Sequence, residues 1–138
     1  MVEISVTGNS VDILAFGRRV FRFDKQVSPM SVGRGSAVYK MKRGSFKFRE
    51  KVFETVPLFF GAARPEDCAV ELADSGGNVL FLLKALIDGE MLRLRLEPVT
   101  GRTFNRMTFS LPAEPDEHVY GSGETFTKFD LRGETARV

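Results

Sequence analysis

The residues able to do chemistry are few and widely spaced. One histidine, His118, and one cysteine, Cys68, stand fifty positions apart, whereas metal sites draw on clusters of His, Cys or carboxylates at set spacings. With a single histidine in a loop-like stretch, no nucleophile–base–acid triad can be drawn, and His118 reads as structural or solvated. Cys68 precedes Ala69-Val70 in an apolar run and reads as a small buried hydrophobe rather than a reactive thiol. Glu124 and Asp130 share one glycine-rich segment. A pair of carboxylates a few ångströms apart, one acid and one base or nucleophile, is the machinery that cleaves acetal bonds. Nothing in the spacing of these two brings them together. Gly33-Arg34-Gly35-Ser36 and Gly121-Ser122-Gly123-Glu124 each hold two glycines of a dinucleotide fingerprint, but the third glycine and the strand–turn–helix setting are missing. No phosphate loop occurs, and the sequence calls for no cofactor and no metal.

The elements that must hold these residues follow a period of two. Val2, Ile4 and Val6 alternate with Glu3, Ser5 and Thr7; Phe21 and Phe23 with Arg22 and Asp24; Leu92, Leu94 and Leu96 with Arg93, Arg95 and Glu97. Successive strand side chains point to opposite faces, so each segment offers an apolar face to a core and a polar face to water. Val79–Ile87 is apolar almost throughout and reads as a central strand covered on both faces, with a buried helix as the alternative. Turn signals at Gly8-Asn9, Gly17, Gly33-Arg34-Gly35, Arg43-Gly44, Ser75-Gly76-Gly77-Asn78 and Asp88-Gly89 separate the segments, and put one strand near Ala37–Met41. Short strands punctuated in this way predict an all-β, antiparallel sandwich. After Leu111 the run Pro112-Ala113-Glu114-Pro115-Asp116-Glu117 is acidic and proline-punctuated, and prolines remove ladder donors. Residues 1–111 therefore read as the sandwich, and 112–138 as a linker and a distinct C-terminal segment.

Composition narrows the setting. The 138 residues suffice for one domain with a real core. At 43% hydrophobic and 28% charged the balance is that of a globular protein. No apolar run approaches the ~20 residues of a membrane helix, and the first residues lack the basic and apolar regions of a secretory signal. The lone cysteine fits a reducing compartment, so a cytoplasmic location without a membrane partner is expected. The formal charge of +2 is too small to argue for nucleic acid. Arg18 to Lys51 does hold eleven Lys and Arg against only Asp24 and Glu50. These alternate with apolar residues, as in Phe46-Lys47-Phe48-Arg49, and read as the wet faces of half-buried strands rather than a nucleic-acid interface.

The C-terminal segment carries a likeness. Phe109-Ser110-Leu111-Pro112, then Asp116-Glu117-His118-Val119-Tyr120-Gly121-Ser122-Gly123-Glu124, then Phe126-Thr127-Lys128-Phe129-Asp130-Leu131-Arg132-Gly133, resembles the stretch that closes the N-terminal sandwich of glycoside hydrolase family 31. Gly33-Arg34-Gly35, Tyr39-Lys40-Met41 and Arg43-Gly44-Ser45-Phe46-Lys47 resemble the same domain in bacterial members. The Phe-Asp-Leu-Arg-Gly form is closest to the α-glucosidase and sulfoquinovosidase-like branch.

The resemblance implies a galactose-mutarotase-like sandwich followed, in the family, by a (β/α)₈ barrel that carries both catalytic aspartates. No such barrel precedes Val138, so it assigns no catalytic role to any residue here, Asp130 included. It implies instead a supporting part, with the barrel of the same full-length protein as partner. Tyr120, Gly121, Gly123, Glu124, Phe129, Asp130, Arg132 and Gly133 would form the domain junction, near the substrate mouth. Without the barrel, residues from about Gly121 onward are expected to fray. Two other readings stand beside this one. The first is an autonomous carbohydrate-binding module, disfavoured by the absence of tryptophan and by thirteen phenylalanines that suggest a core. The second is an interaction domain, self-associating through the surface that would face the barrel.

Overall fold

The computed structural model describes residues 1–118 of the chain. It shows the antiparallel all-β sandwich that the alternation predicts. Three strands, β1 (Val2–Thr7), β2 (Ser10–Ala15) and β3 (Arg18–Asp24), form a small sheet in the order of the chain. The turns between them fall at Gly8 and Gly17, both at positive φ, where a Cβ would be strained.

The larger sheet contains β4 (Met30–Lys42), β5 (Ser45–Arg64), β6 (Ala69–Ala73), β7 (Val79–Asp88), β8 (Met91–Pro98) and β9 (Arg106–Phe109). They lie in the order β8-β7-β6-β5-β4-β9. A one-turn 3₁₀ helix, Pro65–Asp67, joins β5 to β6 and ends on Cys68 in the left-handed conformation. The small sheet supplies Ile4, Val11, Ile13, Phe21 and Phe23 to a core completed by Met30, Val32, Leu58, Val70, Leu72, Leu80, Leu83 and Ala85 of the large one. No polar side chain is buried among the described residues. Cys68 is half-buried against this core, as its apolar setting suggests.

Three expectations need correction. Gly33-Arg34-Gly35 is no turn but the middle of β4. Its glycines serve close approach: a Cβ on Gly35 would sit 2.6 Å from the Lys51 carbonyl oxygen, and one on Gly33 would collide with that of Glu54. The strand placed near Ala37–Met41 therefore runs from Met30 to Lys42, with a bulge opposite Arg34 and Gly35. Second, Val79–Ile87 is an interior strand, paired with β6 and β8, but it is covered on one face only. Leu80, Leu83 and Ala85 are buried while Leu86 is exposed, because a three-stranded sheet cannot cover both sides of a six-stranded one. Third, of Phe46-Lys47-Phe48-Arg49 only Phe48 is half-buried and the rest are exposed, because β4 and β5 run on together beyond the sandwich.

Candidate functional site

Beyond Gly35 and Val52, β4 and β5 have only each other. The pairing of β4 with β9 ends at Gly33 and Arg106, and that of β5 with β6 begins at Phe59. Residues 36–52 form a two-stranded arm closed by the turn at Arg43-Gly44, both at positive φ. Directly opposed residues of an antiparallel pair share a face, and the register opposes Tyr39 to Phe48, Met41 to Phe46, Lys40 to Lys47 and Val38 to Arg49. One face is thus aromatic and sulfur-bearing. Its ring centroids lie 5.0 Å apart for Tyr39–Phe48 and 5.6 Å for Tyr39–Phe46, with Tyr39 63%, Phe46 60% and Met41 81% exposed. The other face carries Lys40, Lys42, Lys47, Arg49 and Lys51, five cations with no carboxylate among them.

The root of the arm is clamped by the loop that precedes β9. The Asn105 side chain accepts from the Gly35 backbone N–H at 2.9 Å and donates to the Gly35 carbonyl at 2.9 Å, filling the strand-edge position that β9 has vacated. Its own N–H donates to Gly33 O at 3.0 Å. Glu54 receives Arg34 Nε at 2.9 Å and Arg102 Nη2 at 2.6 Å, and Arg106 pairs with Glu50. The Arg102 guanidinium also lies over the Phe104 ring, which packs on Phe81.

Asp74, 3.7 Å from Arg102, organises the β6–β7 turn by accepting from the N–H groups of Gly76 and Asn78, both at 3.0 Å. The Asn78 backbone and side-chain donors hold its carboxyl below the usual carboxylate range. Arg22 does the same to Asp12 through a two-pronged pair at 2.7 and 2.6 Å, and the hydrogen bond from Lys84 does so to Glu97.

Chemically, the described carboxylates near cations are spent on structure. Among the described residues no three His, Cys, Asp or Glu side chains are grouped so as to hold a metal ion, and no helix is long and apolar enough to cross a membrane. The concavities are open clefts. One, of about 390 Å³, is lined by Phe21, Met30, Leu83, Leu94, Leu96, Met107 and Phe109, where core side chains show between the edge strands β8 and β9. It has no polar group able to orient a ligand.

Of the residues singled out in the sequence, Tyr120, Gly121, Gly123, Glu124, Phe129, Asp130, Arg132 and Gly133 lie outside the described residues, and so does the expected fraying from Gly121. His118 is exposed. Cys68 Sγ reaches the Val2 carbonyl at 3.6 Å. The exposed rings of the arm were missed because alternation gives the faces of a strand, not what covers them. The available signal was the alternation continuing on both sides of the Arg43-Gly44 turn, from Val38 to Met41 and from Phe46 to Arg49.

The described fold is a sandwich of two unequal sheets with an exposed two-stranded arm. The class it resembles is the β-sandwich of glycoside hydrolase family 31 enzymes, as the comparisons with known proteins report. The chain is 31% identical over 124 residues to a sulfoquinovosidase of Escherichia coli K12, across 87% of this chain and 18% of that protein. It is likewise 31% identical over 121 residues to a sulfoquinovosidase of Agrobacterium fabrum, across 87% of this chain and 17% of that one. A solved family 31 sulfoquinovosidase from E. rectale, in complex with an aza-sugar inhibitor, superposes with a TM-score of 0.73 at 27% identity, over 95% of this chain and 19% of its own. No family model matches the chain. The chain thus spans about a fifth of the length of these relatives, a small N-terminal part of each.

Proposed function

We propose that this sandwich is a non-catalytic N-terminal domain that scaffolds the catalytic barrel of a family 31 glycoside hydrolase, the whole protein hydrolysing α-O-glycosidic bonds. The observation that carries the reading is the match itself: nearly all of this chain against less than a fifth of enzymes named for sulfoquinovoside hydrolysis. The site geometry agrees with it. The described part offers clefts but no group of acids able to hold a metal, while its arm supplies an exposed apolar surface for a neighbour. On this reading the junction residues are Tyr120, Gly121, Gly123, Glu124, Phe129, Asp130, Arg132 and Gly133, and the lone Cys68 suits a reducing, cytoplasmic setting.

The competing reading is an autonomous carbohydrate-binding module. Titration calorimetry of the 138-residue chain against α-glucans and sulfoquinovosides separates the two. The scaffold reading expects no heat of binding at millimolar ligand. Saturable binding with one-to-one stoichiometry would replace it with the module. The reading frame after Val138 gives a second check: a barrel-coding sequence is expected, and an immediate stop would overturn the proposal.

A further inference from the structure

We infer that the aromatic face of the β4–β5 arm, Tyr39, Met41, Phe46 and Phe48, is a docking surface for the catalytic domain of the same polypeptide, separate from the 112–138 junction. The inference rests on the function proposed above and says where the sandwich grips its neighbour.

Three observations carry it. The first is that the arm is uneconomical in water. A two-stranded hairpin standing alone is marginal, and this one exposes Tyr39, Phe46 and Met41, with Phe48 half-buried in contact with Tyr39, while Asn105, Arg102 and Arg106 hold its root. On the alternation of β4, Met30 and Val32 face the small sheet, so Tyr39 and Met41 fall on the side turned away from it. Among the described residues nothing covers Tyr39, Met41 or Phe46. The second is persistence. The arm is seventeen residues of 138, more than twice the share that the match to the solved sulfoquinovosidase leaves uncovered. The larger part of the arm therefore falls within the aligned share of this chain, in a protein of which that share is 19%. The third is size. Three exposed side chains and the half-buried Phe48 offer at most on the order of 450 Å² of apolar surface, whereas a stable contact between separate molecules takes about 800 Å² from each. A second copy held by the arms alone would bind weakly. A domain tethered by the chain meets the arm at an effective concentration of order millimolar, and a contact of this size then suffices. The cationic face points the other way and stays in water, where its lysines also discourage strand addition at the open edges.

Hydrogen exchange on the complete polypeptide and on the 138-residue chain tests the inference. Amides of residues 36–52 are expected to exchange at least tenfold more slowly in the complete polypeptide, with those of β1–β3 unchanged. Tyr39→Ser, Phe46→Ser and Phe48→Ser together should abolish that difference and leave the exchange of β1–β3 in the 138-residue chain unaltered, since these rings contact one another and are not part of the core. Equal exchange in the two proteins, or protection that survives the triple substitution, would overturn the docking role. If the complete polypeptide still hydrolyses α-glycosides in that case, the scaffold reading stands and only the arm assignment falls. Protection in the short chain that rises with its concentration, and is lost in the triple variant, would give the face to a second copy instead. A complete polypeptide without a catalytic domain would sink both.

Discussion

Gly33 and Leu58 show how much of this protein is decided by single side chains, or by the lack of one. Gly33 lies in β4 with ordinary backbone angles, and its need is for space, because the Glu54 carbonyl occupies the room a Cβ would take. Gly33→Ala should therefore push β4 from β5 where the arm is rooted, with an expected loss of about 1–3 kcal/mol in chemical denaturation. Gly101→Ala, which meets nothing within 4 Å, is the control and should be near neutral. Leu58, fully buried across from Met30, should cost about 2–5 kcal/mol as Leu58→Ala, the usual range when a core leucine leaves a cavity. From the sequence, Gly33-Arg34-Gly35 looked like a turn because close approach and turning ask for the same residue. Only the partner strand tells them apart.

At the scale of elements, the loops are set by carboxylates that collect donors. Asp74 gathers the N–H groups of the β6–β7 turn and the Arg102 guanidinium, and its folded pKa is depressed, as are those of Asp12 and Glu97. A depressed carboxylate contributes stability that is present above its unfolded value of about 3.9 to 4.3 and disappears as pH falls through the folded value. The folding free energy should accordingly be flat between pH 7 and 5 and fall below about pH 4. Asp74→Asn, with no charge to lose there, should show a shallower decline in urea titrations across pH 7 to 2. A decline as steep as that of the wild type would remove Asp74 from the account. The turns at Gly8, Gly17, Ser75–Asn78 and Asp88-Gly89 were legible because glycine and asparagine at such points have one main use. The length of β5 was not: Ser45–Arg64 contains Gly61 and Pro57, residues that ordinarily end a strand. Proline is tolerated opposite Ser31 and glycine beside the irregular Phe60–Ala63 pairing.

For the whole molecule, alternation disclosed two layers and their apolar faces, and the tail motif disclosed the kinship that the matches to sulfoquinovosidases then supported. What alternation could not disclose is the inequality of the layers. Three strands face six, so among the described residues one side of β7, the cleft between β8 and β9 and the aromatic side of the arm are left without cover. Those uncovered surfaces are what a scaffold should have, and they are absent from the pattern of any one segment because they arise from the count of strands. On the same grounds, the triple arm substitution should reduce the stability of the complete polypeptide by more than that of the sandwich alone, where only the ring contacts within the arm are lost.

The claim on which all of this depends is that the sandwich supports chemistry without performing it. The direct measurement is the release of p-nitrophenol from p-nitrophenyl α-glucoside and α-sulfoquinovoside by the repurified 138-residue chain and by the complete polypeptide, side by side. The account predicts turnover by the complete polypeptide and none above buffer by the chain. Hydrolysis by the short chain that co-purifies with it through a second column would contradict it.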